Sequence, residues 1–221
     1  MQKSITIVSG GMDSITLAYQ LAAQGVSQIL VSFDYGQRHK KELDYAYVCA
    51  KRLHVPHKVI DLSTLATHLH SSSLTSDSIA VPDGHYAEET MRITVVPNRN
   101  AIMLAIAYGI AVAEQFNMVS IGVHSGDHFI YPDCRPAFIY SFAAMQQAAI
   151  EGFGSVVLHA PFLEKTKAEI VLIAQSVAAP LQDSWSCYKG GHLHCGKCGT
   201  CTERKEAFEL ALVFDPTEYE D

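Results

Sequence analysis

The sequence is short of positive charge. Its 16 Lys and Arg stand against 23 Asp and Glu, for a formal net charge of −7, which excludes a broad cationic footprint for nucleic acid or an anionic membrane. Long apolar stretches are missing as well. The longest unbroken run, 101–113, falls short of the ~20 residues that a bilayer span requires. No charged-then-apolar leader precedes Ser9, so the expectation is a cytoplasmic chain with no membrane partner. There is no internal repeat and no low-complexity tract. With 48% apolar and 18% charged residues in 221, collagen-like, disordered and disulfide-scaffold classes are excluded. One core-forming domain with a small appendage is expected.

Hydrophobic periodicity predicts strands over 5–8, 28–33, 58–60, 119–123 and 155–159. Helices are predicted from 15 to a stop at Gly25 and over 43–53, 100–115, 137–149, 167–177 and 203–213. Strand and helix alternate, so the fold class is α/β with a doubly wound parallel sheet. The expected division is a nucleotide-binding domain over 1–183, then a cysteine-rich segment over 184–221 whose helix packs back on the body. Between 71 and 96 the pattern dissolves into Ser, Asp, Pro, Gly and His, and a stretch of that length reads as a site loop or lid.

Ser9-Gly10-Gly11-Met12-Asp13-Ser14 falls where the first strand turns into the first helix. Glycines there let backbone N–H groups approach an anion, and the helix N-terminus adds free donors and its dipole. Asp13 repels phosphate unless a divalent cation such as the Mg²⁺ of a nucleotide lies between them. A tight turn with Asp13 or Ser14 capping the helix is the plainer alternative. The loop has neither G-x-G-x-x-G nor a terminal Gly-Lys-Ser/Thr. It resembles the PP-loop of the ATP pyrophosphatase superfamily, also called adenine nucleotide alpha hydrolase-like. That resemblance implies a cradle for the β,γ-pyrophosphate while an oxygen nucleophile attacks the α-phosphate.

Cysteine is sparse outside one place. Cys49 reads as core, and Cys134 as a small buried residue rather than a sulfur carrier. Cys187, Cys195, Cys198 and Cys201 crowd together among glycines. Four thiolates so spaced suit one tetrahedral Zn²⁺, with an iron–sulfur cluster or disulfides as alternatives. His192 and His194 read as solvated loop residues.

Motif by motif, the chain resembles the 7-cyano-7-deazaguanine synthase family of the queuosine precursor pathway. The resemblance rests on Val8 to Ser14, on Phe33-Asp34-Tyr35-Gly36-Gln37-Arg38-His39, on Val96-Pro97-Asn98-Arg99-Asn100, on Tyr131-Pro132-Asp133-Cys134-Arg135 and on the four cysteines. It implies a ligase that converts 7-carboxy-7-deazaguanine and ammonia to the nitrile with ATP and Mg²⁺, one Zn²⁺ per chain on Cys187, Cys195, Cys198 and Cys201, and a homodimer. ATP is expected on Val8, Ser9, Gly10, Gly11, Met12, Asp13, Ser14, Ile15, Thr16, Leu17 and Ala18. Asp13, Arg99 and Lys167 are the catalytic candidates.

A guanine-like base offers a ring N–H beside an exocyclic amine, a pair that one carboxylate accepts. Asp127 and Asp133 are candidates, with loop capping the plainer reading of each. Arg38 and Arg135 are candidates for the anionic groups, against a solvated surface role. Where many family members carry a Thr-Asp-Tyr-Ser-Gly-type stretch, this chain has Ser125-Gly126-Asp127-His128-Phe129-Ile130, so only Asp127 carries over. The alternative enzyme is a PP-loop tRNA thiolase using Cys134. A nucleotide sensor and a zinc-ribbon interaction module are the non-catalytic alternatives.

Overall fold

A computed structural model describes residues 2–69, 71–76, 78–87 and 91–220. Five strands, β1 (Lys3–Ile7), β2 (Ser27–Asp34), β3 (His57–Asp61), β4 (Met118–Ser120) and β5 (Val157–His159), form one parallel sheet in the order β3-β2-β1-β4-β5. Helices α1 (Met12–Ala23), α2 (Lys41–Leu53), α3 (Arg99–Ala113), α4 (Pro136–Ala149), α5 (Lys167–Ser176) and α6 (Gly199–Leu210) cover it. Ile5, Ile7, Ile29 and Val31 on one sheet face pack with Leu104, Ala107 and Tyr108 of α3 and with Ile139 and Phe142 of α4. The opposite face meets α1 and α2 through Val8, Ile15, Ala18, Leu30, Ala46 and Cys49. The sheet is therefore doubly wound, as the alternation of elements implied.

The α1 side of β1 carries Ser4 and Thr6 where an apolar residue would be expected. Both are fully buried and both are satisfied. Ser4 Oγ and Ser120 Oγ lie 2.8 Å apart, Thr6 Oγ1 donates to Gln28 Oε1 at 3.0 Å, and Gln28 Nε2 donates to Ala18 O at 2.9 Å. Paired in this way, the polar layer costs little.

The structure departs from the predicted elements at informative places. The ladder of β4 stops at Ser120, although the apolar pattern runs on through Ile121 and Val123. The chain there must pass close to α1, since a Cβ on Gly122 would lie 3.3 Å from the Asp13 carbonyl. The last helix begins at Gly199 rather than near 203. Its first turn carries Cys201, and Gly199 packs where a Cβ would meet Met91 Sδ at 2.5 Å. Tertiary packing overrides the poor helix propensity of Gly-Thr.

The described part of 71–96 is anchored. Ser72, Ser73, Leu74, Val81 and Thr94 are buried, Ser73 N–H donates to Ile93 O, and Gly84 N–H donates to Lys197 O. Its residues 77 and 88–90 lie outside the described residues. The stretch 92–113 is long and apolar enough to meet the length and composition of a membrane span. Its helical part, α3, packs on the sheet with Met103, Leu104, Ala107, Tyr108 and Ala111 buried.

Candidate active site

The strand order reverses between β1 and β4, and such a switch point opens a crevice at the carboxyl ends of the strands. A cavity lies there. The loop after β1, the loop after β4 and the segment that leads to the cysteines all line it.

Gly10 makes the first turn. Its φ of +97° is open to glycine, and a Cβ would sit 2.0 Å from the Glu42 carbonyl oxygen. The serines hold the loop closed: Gly10 N–H donates to Ser14 Oγ at 3.3 Å, Gly11 N–H to Ser9 Oγ at 3.2 Å, and Ser14 Oγ–H to Gly11 O at 3.0 Å. Val8, Ser9, Gly11, Met12, Asp13 and Ser14 line the cavity. Ile15, Thr16, Leu17 and Ala18 are buried in the body of α1 and do not line it.

Asp13 sits in the first turn of α1 among charges drawn from distant parts of the chain. Its Oδ2 is 3.4 Å from Lys167 Nζ and 3.8 Å from His124 Nε2, while its buried Oδ1 has no hydrogen-bond partner among the described residues. Burial works against the ionised form, but the Lys167 ammonium, then His124, outweighs it and holds the carboxyl below its usual range. Lys167 Nζ also donates to Glu203 Oε2 at 2.6 Å. Burial opposes the charge on Lys167, yet Asp13 and Glu203 raise its pKa well above the ordinary lysine value. Burial pushes the Glu203 carboxyl up, with Lys167 opposing. His124 Nδ1 accepts Gly126 N–H at 3.1 Å, which leaves Nε2 facing Asp13 and, at 3.5 Å, Asp127 Oδ2. Asp127 Oδ1 accepts the Tyr86 hydroxyl at 2.8 Å.

Across the cavity the Arg99 guanidinium lies near the rings of Tyr35 and Tyr131, at 6.0 and 5.9 Å from their centroids. Tyr131 Oη is 2.8 Å from Thr94 Oγ1 and 3.5 Å from Tyr188 Oη. Arg38 lines the cavity and donates to the carbonyls of Ser76 and Ile79, so it ties the 71–96 segment to the wall. Glu42 lines the same wall, and burial raises its carboxyl from 4.5 to about 7 against the pull of Arg99.

Two expected substrate residues are not brought to the cavity. Asp133 Oδ2 accepts Asn100 N–H at 2.8 Å, capping the first turn of α3. Arg135 is exposed and donates to His128 O at 2.6 Å. For both, the plainer reading is the one the structure displays. Reading by motif also passed over His124, Glu203, Glu42 and the Tyr86–Tyr131–Tyr188 group. The position of His124, just beyond a strand's carboxyl end, was a signal for it. Glu203 had none, because it arrives on a helix from the other end of the chain.

The four clustered cysteines are buried, and none is in a disulfide. Their sulfurs lie within 4.8 Å of one another, Cys195 Sγ and Cys201 Sγ at 3.9 Å. Backbone N–H groups of Cys195, Lys197 and Cys198 point at Cys187 Sγ or Cys195 Sγ. The residues present fit one metal ion. His194 is not solvated: it is buried against Trp185, ring centroids 4.3 Å apart, and its Nε2 accepts Ser186 N–H at 3.0 Å. His192 is exposed, as expected. Trp185 joins the two centres. Its Nε1–H donates to Cys187 O at 2.7 Å and its backbone N–H to Gly10 O at 2.9 Å.

The family model for the queuosine biosynthesis protein QueC matches residues 3–212. The chain belongs to the QueC family. Curated relatives named 7-cyano-7-deazaguanine synthase include one from Agrobacterium fabrum, 64% identical over 99% of this chain and 92% of the relative. One from Brucella ovis is 58% identical over 99% and 94%. QueC membership makes the chain an enzyme of queuosine biosynthesis.

Solved structures share the fold at low identity. The U34-tRNA thiolase NcsA from Methanococcus maripaludis with its [4Fe-4S] cluster has a TM-score of 0.52 at 14% identity, over 97% of this chain and 74% of that one. An NMN synthetase from Francisella tularensis has 0.51 at 13%, over 97% and 78%.

Proposed function

We propose that the chain is an ATP-dependent carbon–nitrogen ligase that turns 7-carboxy-7-deazaguanine and ammonia into 7-cyano-7-deazaguanine. The observation that carries this reading is the buried Asp13 Oδ1, without a hydrogen-bond partner among the described residues, beside a glycine-built anion cradle and Lys167. An orphaned buried carboxylate oxygen next to a phosphate cradle fits a Mg²⁺-bound nucleotide, the cation supplying the charge that lets carboxylate and pyrophosphate lie together.

Converting an acid to a nitrile removes two oxygens, and neither hydroxide nor oxide leaves readily. The proposed route activates each in turn. The substrate carboxylate attacks the α-phosphate and pyrophosphate departs. Ammonia then attacks the adenylated carbon, the C–N bond forms, AMP leaves with the C–O electrons, and the nitrogen sheds a proton. The amide oxygen attacks the α-phosphate of a second ATP, a second pyrophosphate departs, and loss of AMP with the C–O electrons and of the two remaining N–H protons leaves the nitrile. Donors of the 9–14 loop stabilise charge growing on pyrophosphate, which preorganised dipoles do at no reorganisation cost. Lys167, kept protonated by Asp13 and Glu203, would meet the α-phosphate. Arg99 and Arg38 are the cations for the substrate carboxylate and nucleotide.

For the thiol cluster we propose one Zn²⁺ per chain in a structural role. Tetrahedral Zn–S bonds of ~2.3 Å place sulfurs about 3.8 Å apart, close to the observed spacing. Incubating the protein with ATP, Mg²⁺ and ammonium, with and without the acid, tests the main reading. Nitrile, AMP and pyrophosphate are expected only when the acid is present. ADP and phosphate as the sole nucleotide products would overturn the adenylate route.

A further inference from the structure

Three carboxylates line the cavity, and two of them have partners there. Asp13 faces Lys167, and Asp127 accepts the Tyr86 hydroxyl. Glu42 is different. No described residue donates a hydrogen bond to its carboxylate, and the charge it feels is Arg99. It lies near the start of α2, where its own carbonyl packs over Gly10 of the cradle. Its backbone is thereby packed against the cradle loop.

Glu42 is half-buried in the cavity wall, and its carboxylate has acceptor capacity that no described residue uses and that a ligand entering the cavity can complete. The surroundings restrict the ligand. Arg99 would repel an ammonium or metal ion at the same place, and an anion would meet the carboxylate itself. Neutral hydrogen-bond donors remain, and a carboxylate takes two adjacent ones best.

We propose that Glu42 is a substrate-recognition residue whose two oxygens accept a pair of neighbouring neutral donors from one of the two large substrates. Those donors are either the vicinal hydroxyls of the nucleotide ribose or the ring N–H and amine of the deazaguanine. The identity of the second source rests on the function proposed above. The raised proton affinity of the empty carboxyl agrees with a group whose preferred partners arrive with the ligand.

Glu42→Gln keeps the size and turns one acceptor into a donor. Binding of ATP with Mg²⁺ and of the acid would be measured separately by calorimetry on the metal-loaded protein. Expected is a rise on the order of 10- to 100-fold in Kd for one of them, as for loss of a hydrogen bond to a charged group, with the other within about twofold. The same probes lacking the donors, 2′-deoxy- and 3′-deoxy-ATP or the 2-deamino acid, should lose affinity in the wild type and no further affinity in the variant.

Unchanged Kd values with a fall in kcat alone would overturn the proposal in favour of proton transfer. Equal loss of both affinities, with the analogues still discriminated, would overturn it in favour of a merely structural role. Binding is read without turnover, so a wild type that binds ATP but makes no nitrile fails the ligase reading while the diol arm still decides Glu42.

Discussion

Lys167 is the residue on which the charges converge, and its removal is the most damaging single change expected. Lys167→Met strands Asp13 and Glu203 together, both poorly solvated, and breaking such a set costs about 3–5 kcal/mol. Denaturant unfolding should read that loss, and nitrile formation should fall below detection. Glu42 is expected to act on stability with the opposite sign. Its carboxyl is raised from 4.5 to about 7 in the folded chain, so the fold binds its proton more tightly than the unfolded chain does. The penalty for ionising it is absent below about pH 4.5 and complete above pH 7. Glu42→Gln should therefore melt above the wild type at pH 8 and match it near pH 4. The ceiling is about 3 kcal/mol, lowered by water that reaches the group through the cavity. Cys134 is buried, accepts Asn100 Nδ2–H at 3.2 Å, and has its thiol held neutral by burial. Cys134→Ser should keep nitrile formation, and loss of activity without loss of fold would reopen sulfur transfer. At this scale the sequence showed the residues that a local motif contains. Asp13 was legible because the cradle is contiguous. Glu203 and Glu42 were not, because the roles of these two come from elements that meet only after folding.

Among elements, the turn from β1 into α1 and the stop of α1 give a controlled comparison. Gly10 and Gly25 both have positive φ, +97° and +73°, but a Cβ meets the Glu42 carbonyl at Gly10 and nothing within 4 Å at Gly25. Gly25→Ala should cost about 1 kcal/mol of stability from backbone strain and leave the KM for ATP unchanged. Gly10→Ala should cost more and should abolish ATP binding, because the loop must move off the start of α2. Calorimetry and thermal melts on the two variants separate strain from clash. Strands and helices were readable from periodicity wherever a strand or helix packs along its length, as α3 and β2 do. The limits failed where the chain serves the cavity or the thiol cluster. Beyond Ser120 the apolar run makes one further bond to β5, Ile121 N–H to His159 O, and then faces the core, and α6 starts early because its first turn carries Cys201.

The whole molecule is tied together through the thiol cluster. Trp185 links Cys187 to Gly10, and fully buried Arg204 on α6 donates to Ser184 Oγ, Ser186 Oγ and Leu181 O. Phe208 and Ala207 of α6 pack on Met12 of α1 and Val171 of α5. Metal binding in so small a segment is coupled to its folding. Stripping the metal with a chelator, or Cys198→Ser, should therefore lower the melting temperature and raise the KM for ATP together. A falling melting temperature with an unchanged KM would show that the segment is only an appendage. Nothing in composition or spacing announced this tie, since it runs through one backbone N–H of Trp185 to one carbonyl of Gly10. The same tie orders events in time. The cradle at 9–14 leaves the ribosome about 190 residues ahead of Glu203, so a half-made chain holds Asp13 before the lysine and the helix that govern its charge exist. The charge cluster of Asp13, Lys167 and Glu203 is complete only once all three have been synthesised and folded against one another.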